Sequence, residues 1–176
     1  MIRLLETDLI KSTLFVHYGD SDFDLSQVRP VTHFQNHYNK PKIGGLWFSP
    51  KDSKWGWENW CKETGYSLFS KKYTWECRLS EESKIIKISG NRDINELPTK
   101  ELFIEKLGDV CWYIDYDELQ RLGYDGLFLS SEAVSDFPDE YPFGDPRPTF
   151  RFWDCESLLL FNLECIEKII SYESRV

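Results

Sequence analysis

Apolar and polar positions alternate over short runs of this chain, and only a few stretches keep a helical period. Ser12 to Tyr18 (STLFVHY) is β-branched and aromatic and runs into Gly-Asp, which predicts a strand. Leu46 to Ser49 predicts a second short strand after Gly44-Gly45. Lys71 to Leu79 (KKYTWECRL) and Lys84 to Ser89 (KIIKIS) predict two more, and Tyr124 to Leu129 another. Glu156 to Asn162 (ESLLLFN) is the most apolar run and predicts a buried strand. Helical spacing is expected over Trp55 to Thr64, with Ser53 as its cap, and over Thr99 to Leu107, with Thr99 as N-cap and Gly108 as stop. Asp115 to Leu122, closed by Gly123, and Leu163 to Ser171 are also expected to be helices. Residues 137–150 (FPDEYPFGDPRPTF) carry four prolines, which remove donors and fix φ, so an irregular loop is expected there. Many short strands with scattered short helices predict an α+β fold of two packed sheets with peripheral helices.

Composition narrows the class. At 176 residues the chain suits one domain spanning 1–176, with enough length to bury a core. Seven Trp, nine Tyr and twelve Phe are a heavy aromatic load, which favours broad aromatic packing or a stacking site. A net charge of −9 disfavours nucleic acid as the main partner, with Lys40, Lys42, Lys51, Lys54, Lys71 and Lys72 as the places where a basic patch would lie. No apolar run approaches the roughly 18–20 residues a membrane-crossing helix needs. Acidic residues break the N-terminal segment where a signal peptide is unbroken and apolar. A soluble, cytoplasmic protein without a membrane partner, and a monomer, is the expectation. The five cysteines are an odd number without a C-x-x-C pair, so reduced, partly buried thiols are expected rather than a zinc ribbon or a disulfide framework.

The usual catalytic signatures are missing. His33 and His37 stand i, i+4, but the Glu of H-E-x-x-H and a third ligand are lacking, so no metal is expected. There is no G-x-S-x-G elbow, no P-loop and no G-x-G-x-x-G. Three other features carry candidate chemistry. His17 ends an apolar strand beside Tyr18 and Gly19; it either caps the strand or donates to a ligand hydroxyl. Asp154 and Glu156, two apart at the mouth of an apolar strand, project to one face; they are either solvated strand-end residues or a carboxylate pair on a cleft. Trp47, Trp55, Trp57 and Trp60 crowd a segment that glycine and lysine make unlike a core element.

Taken in order, these residues resemble the ADP-ribosyltransferase superfamily, in the branch of diphtheria toxin and the poly(ADP-ribose) polymerases with its His-Tyr-Glu triad. That branch has a strand ending in histidine and glycine; here Phe15-Val16-His17-Tyr18-Gly19 is similar, with Tyr18 interposed. Its second motif reads Gly-aliphatic-Tyr-Phe-small, followed about eleven residues on by a second tyrosine in a helix. Gly45-Leu46-Trp47-Phe48-Ser49 matches with Trp for Tyr, and Trp57 or Trp60 stands where the second aromatic is expected. Its third motif is a glutamate opening an apolar strand, matched by Glu156 through Phe161-Asn162. The resemblance covers His17 to Asn162 and implies a split β-sandwich that uses NAD as substrate, with no metal. It implies that Glu156 stabilises an oxocarbenium-like ribose, with Asp154 as second carboxylate or acceptor-orienting group. His17 would bind the adenosine ribose, Trp47 with Trp57 or Trp60 would sandwich the nicotinamide, and Tyr18, Gly19, Phe48 and Ser49 would complete the site. The implied activity is mono-ADP-ribosyl transfer to a macromolecular acceptor, protein favoured over nucleic acid. The alternatives are a NAD glycohydrolase toxin of the same fold and a catalytically silent binding module.

Overall fold

The computed structural model describes residues 2–20, 22, 24, 26, 28, 29, 31, 44–66, 72–104, 109–136, 150 and 153–173. Their elements in chain order are α1 (Thr7–Ser12), β1 (Phe15–Gly19), β2 (Leu46–Pro50), α2 (Trp57–Thr64), β3 (Tyr73–Leu79), β4 (Ile85–Ile88) and α3 (Asn91–Ile94). They continue with β5 (Thr99–Ile104), β6 (Asp109–Ile114), α4 (Tyr116–Arg121), β7 (Gly126–Leu129), α5 (Ser131–Asp136), β8 (Ser157–Leu160) and β9 (Ile166–Glu173). The chain is α+β, as its pattern predicts: a seven-stranded sheet ordered β4-β7-β8-β2-β1-β3-β9, and a two-stranded sheet of β5 and β6. Only β4 and β7 run parallel; the other neighbours are antiparallel.

The large sheet curls on itself. From β7 to β1 is three strand steps, about 14 Å across a flat sheet. The rings of Phe15 and Phe128 nevertheless meet edge to face at 6.2 Å. One buried cluster joins both ends of the sheet, with Ile85 and Phe128 from one half and Phe15, Trp75, Cys77 and Leu79 from the other. A second cluster covers the opposite face of β4, β7 and β8 with Ile94, Ile114, Tyr116, Leu119, Ala133, Phe150 and Trp153. Strand alternation divides the two: Leu158 and Leu160 face the first core, Leu159 the second. All four residues of β7 and of β8 are buried, which accounts for their near-continuous apolar sequence.

Two expected helices are strands. Thr99 to Leu107 was expected to be helical, but Thr99–Ile104 pairs with Asp109–Ile114, setting Glu101 opposite Trp112 and Phe103 opposite Val110. Alternation in TKELFI and a β-rich partner prevail over helix propensity, which tertiary pairing often overrides. Leu163 to Ser171 was likewise expected to be helical, yet Ile166–Glu173 forms β9 along the whole of β3, from Tyr73↔Glu173 to Leu79↔Ile166. Without β9 the outer backbone groups of β3 would lack ladder partners, and the three isoleucines of β9 suit a pleated surface. Helix α2 begins at Trp57, two residues later than expected, with Gly56 and not Ser53 at its cap position. Helices α1, α3 and α5 are too short to leave a periodic signal. Helix α4 follows expectation, with the Asp115 side chain accepting from the Glu118 N–H and Gly123 in the left-handed region at φ 81°.

Cys61, Cys77, Cys155 and Cys165 are buried and form no disulfide among the described residues, and burial pushes the thiols of Cys77 and Cys165 up to about 12. Among the described residues no helix is long and apolar enough to cross a membrane. The expected loop at 137–149, His33, His37, Lys40, Lys42 and Lys71 lie outside the described residues.

Candidate binding cavity at a fork in the sheet

The ladder between β1 and β2 is two residues long, Phe15↔Pro50 and Val16↔Ser49. Beyond it β1 stays with β3 as far as Gly19↔Tyr73, and β2 stays with β8 as far as Leu46↔Leu160. The sheet therefore forks after Val16. A carbonyl only accepts, so His17 carries its proton on Nδ1 and donates to the Trp47 carbonyl at 2.6 Å, tying the two arms together. The imidazole stacks on Trp75, its partner across the β1–β3 ladder, at 4.5 Å and 23°. Gly19 is buried behind it, and a Cβ there would sit 3.2 Å from the Trp75 ring.

A cavity of about 320 Å³ opens in this fork. One wall is β1, through Val16, His17 and Tyr18; the next is β2, through Trp47, Phe48 and Ser49. Trp57 and Tyr66 form a third, and Trp153, Asp154, Cys155 and Ser157 a fourth. The volume is at the small end for ligand sites, and the aromatic walls suit a flat ring. Among the described lining residues there is no Lys or Arg, and Asp154 is the one carboxylate.

Ser49 fixes how the helix meets the strand. Its Oγ accepts from the Trp57 N–H at 2.8 Å and donates to the Glu156 carbonyl at 2.9 Å. Gly56 passes so close that a Cβ would lie 2.9 Å from the Pro50 carbonyl oxygen, which excludes any side chain. The Glu156 N–H in turn donates to the Trp55 carbonyl at 2.8 Å. Trp57 is thereby placed on the cavity. Trp60, one turn along, stacks on Trp57 at 4.9 Å and 17° and does not itself line the cavity. Tyr66 meets both indoles edge-on or tilted at 5.6 and 5.7 Å. Trp55 is 46% exposed, with the Lys54 ammonium 5.4 Å from its ring.

The two carboxylates part company. They were expected to share a face, but β8 begins only at Ser157, so strand alternation does not govern residues 154–156. Asp154 lines the cavity. The Glu156 carboxylate accepts from Ser53 Oγ at 2.6 Å and from the Ser131 N–H at 3.2 Å, behind the wall that its neighbours Cys155 and Ser157 make. On the opposite side Tyr18 donates to Glu58 at 3.1 Å. Burial, and then the Glu58 charge, push the phenol well above its ordinary range. The Lys62 ammonium, 2.8 Å from Glu58, holds that carboxyl below the usual range against the opposing effect of burial.

Of the residues expected at the site, the cavity gathers His17, Tyr18, Trp47, Phe48, Ser49, Trp57 and Asp154; Gly19, Trp60 and Glu156 stand just outside it. Trp153, Tyr66, Cys155, Ser157 and Val16 were not foreseen. Trp153 meets Trp47 at 4.5 Å and Phe150 at 4.6 Å, both edge-on. It lies outside any regular element, so no periodicity marks it; its place beside Asp154 was the available signal. Among the described residues no group of three or more His, Cys, Asp or Glu is arranged to hold a metal ion. No family model, no curated protein and no solved structure matches the chain.

Proposed function

We propose that the chain is a NAD-dependent mono-ADP-ribosyltransferase acting in the cytoplasm on a macromolecular acceptor, protein in preference to nucleic acid. One observation carries this reading: His17, Trp47 and Trp57, whose order resembles the transferase motifs, converge with Asp154 on one aromatic cavity at the fork of a curled sheet. The fork also supports the split β-sandwich that the resemblance implies. The nicotinamide ring of NAD is a flat cation, which suits indole faces and a neighbouring carboxylate. In this reading Trp47 and Trp57 flank the ring, and His17 and Tyr18 lie toward the adenosine side.

The reaction breaks the bond between nicotinamide and ribose. Nicotinamide leaves with the electron pair, the ribose becomes oxocarbenium-like, and an acceptor nucleophile bonds to the same carbon and loses its proton. A carboxylate near the ribose stabilises that charge, most effectively where water is partly excluded. The proposal assigns this to Glu156, which Ser53 and Ser131 hold immediately behind the cavity wall, with Asp154 on the wall as the second carboxylate.

Nicotinamide release from NAD tests the proposal. Wild type releases it, and Glu156→Ala abolishes release if Glu156 is the stabilising group; loss in Asp154→Ala alone moves the role to Asp154. Labelled ADP-ribose on a macromolecule identifies transfer, and free ADP-ribose identifies a NAD glycohydrolase. One observation favours a catalytically silent binding module instead: the Glu156 carboxylate is already engaged by two donors outside the cavity. In that case NAD raises the melting temperature and no nicotinamide appears.

A further inference from the structure

The walls of the cavity differ in charge. On the side of β1 and α2 the charges cancel: Tyr18 donates to Glu58, and the Lys62 ammonium pairs with Glu58 at 2.8 Å. Burial keeps the Tyr18 phenol protonated and neutral. The fourth wall is not balanced in this way. Asp154 lines it, is exposed, and makes no hydrogen bond or ion pair among the described residues. Two residues on, the Glu156 carboxylate is held by a hydroxyl and a backbone N–H, neither of which carries a charge. The Lys54 ammonium lies over the Trp55 ring, and no described Lys or Arg lines the cavity. Two carboxylates without a described ion-pair partner thus flank Cys155, in a cavity whose other walls carry Trp47, Trp57 and Tyr66. A cleft lined by one sign of charge concentrates that field, and more so where its walls keep water out. Aromatic rings add an attraction for cations through their electron-rich faces.

We propose that the cavity selects its ligand by charge, with Asp154 as the specificity-determining residue: it takes a planar aromatic cation and discriminates against the neutral form of the same ring. The inference rests on the NAD reading for the identity of the ring, and it names what the site distinguishes. The pyridinium of oxidised NAD is a cation, whereas the dihydropyridine of the reduced dinucleotide is neutral. Only the first supplies the positive charge that the fourth wall lacks. Cleavage also neutralises the ring, because nicotinamide leaves with the electron pair, so the released product is held less tightly than the substrate.

Titration calorimetry with carbocyclic NAD, whose bond to nicotinamide is not cleaved, and with its reduced form tests the selection. The two dinucleotides differ only at the ring. Wild type is expected to bind the oxidised form at least about tenfold more tightly. Asp154→Asn removes the charge and keeps the size of the side chain, and is expected to cut that ratio about threefold or more. Raising the salt from about 0.01 M to about 1 M is expected to narrow the wild-type ratio as well, since an exposed charge is screened. Equal binding of the two forms by wild type, or a ratio that Asp154→Asn leaves unchanged, overturns the inference and leaves the NAD reading standing. Wild type that binds neither form overturns both. Should Asp154→Asn fail to fold, the salt dependence of the wild-type ratio decides alone.

Discussion

The imidazole of His17, one residue beyond the last ladder pair on β1, donates to the backbone carbonyl of Trp47, two residues beyond that pair on β2. A side chain thus does what the next rung of the ladder would have done, and the space the rung would have closed is left open as a cavity. His17→Ala is expected to lower stability by about 1–3 kcal/mol. For a chain of this size that corresponds to a fall in Tm on the order of 3–10 °C, with weaker ligand binding. A variant that melts with wild type and binds NAD normally would remove His17 from the role of tie.

Trp57 and Trp60 separate a lining ring from a backing ring. Trp57→Ala removes a cavity wall, and NAD affinity is expected to fall about tenfold or more, since stacked aromatics contribute beyond their buried area. Trp60→Ala leaves that wall in place and is expected to act more weakly, through the freedom it gives Trp57. Equal losses in the two variants, measured by calorimetry, would contradict the division.

Two glycines with nearly the same φ give an internal control for packing beside β2. Gly45 has φ +68°, and a Cβ there would lie 2.5 Å from Leu159 Cδ1 and 2.9 Å from the Leu160 carbonyl oxygen. Gly65 has φ +70° and nothing within 4 Å. Gly65→Ala is expected to cost about 1 kcal/mol from the left-handed backbone alone. Gly45→Ala adds overpacking and is expected to cost about 1–3 kcal/mol more. Urea unfolding of the pair checks this, and equal midpoints would refute the close approach.

Glu76 gives a pH signature away from the cavity. The Lys51 ammonium, and to a lesser degree the Tyr172 hydroxyl, hold its carboxyl below the ordinary value of 4.5 against the opposing effect of burial. Because the folded value lies below the unfolded one, the unfolded chain binds the proton more readily. The contribution is therefore complete above pH 4.5 and is lost as pH falls through the depressed folded value. Glu76→Gln is expected to flatten the decline of Tm over that acid range. A decline as steep as that of wild type would assign it to other carboxylates.

The fold was legible where burial imposes a pattern. Runs such as Tyr73–Leu79 and Ser157–Leu160 must be apolar on one face or both, and their sequences show it. Thr99–Ile104 and Ile166–Glu173 were misread because a short run with charges at both helical and strand spacings is decided by its partner, which lies elsewhere in the chain. The site divides in the same way. His17, Trp47, Trp57 and Asp154 stand out by residue type against their neighbours. Trp153 and Tyr66 join them only through three-dimensional packing, and the outward turn of Glu156 depends on Ser53 and Ser131, which no spacing rule connects to it.

The pairing of Trp47 with Leu159 joins positions more than a hundred residues apart. Contacts of such sequence separation are slow to form, because a long loop must close before they contribute. The first two walls come from the early part of the chain, but the fourth arrives with residues 153–157. The cavity is therefore incomplete until translation has passed β8, and a product truncated before residue 153 lacks its fourth wall.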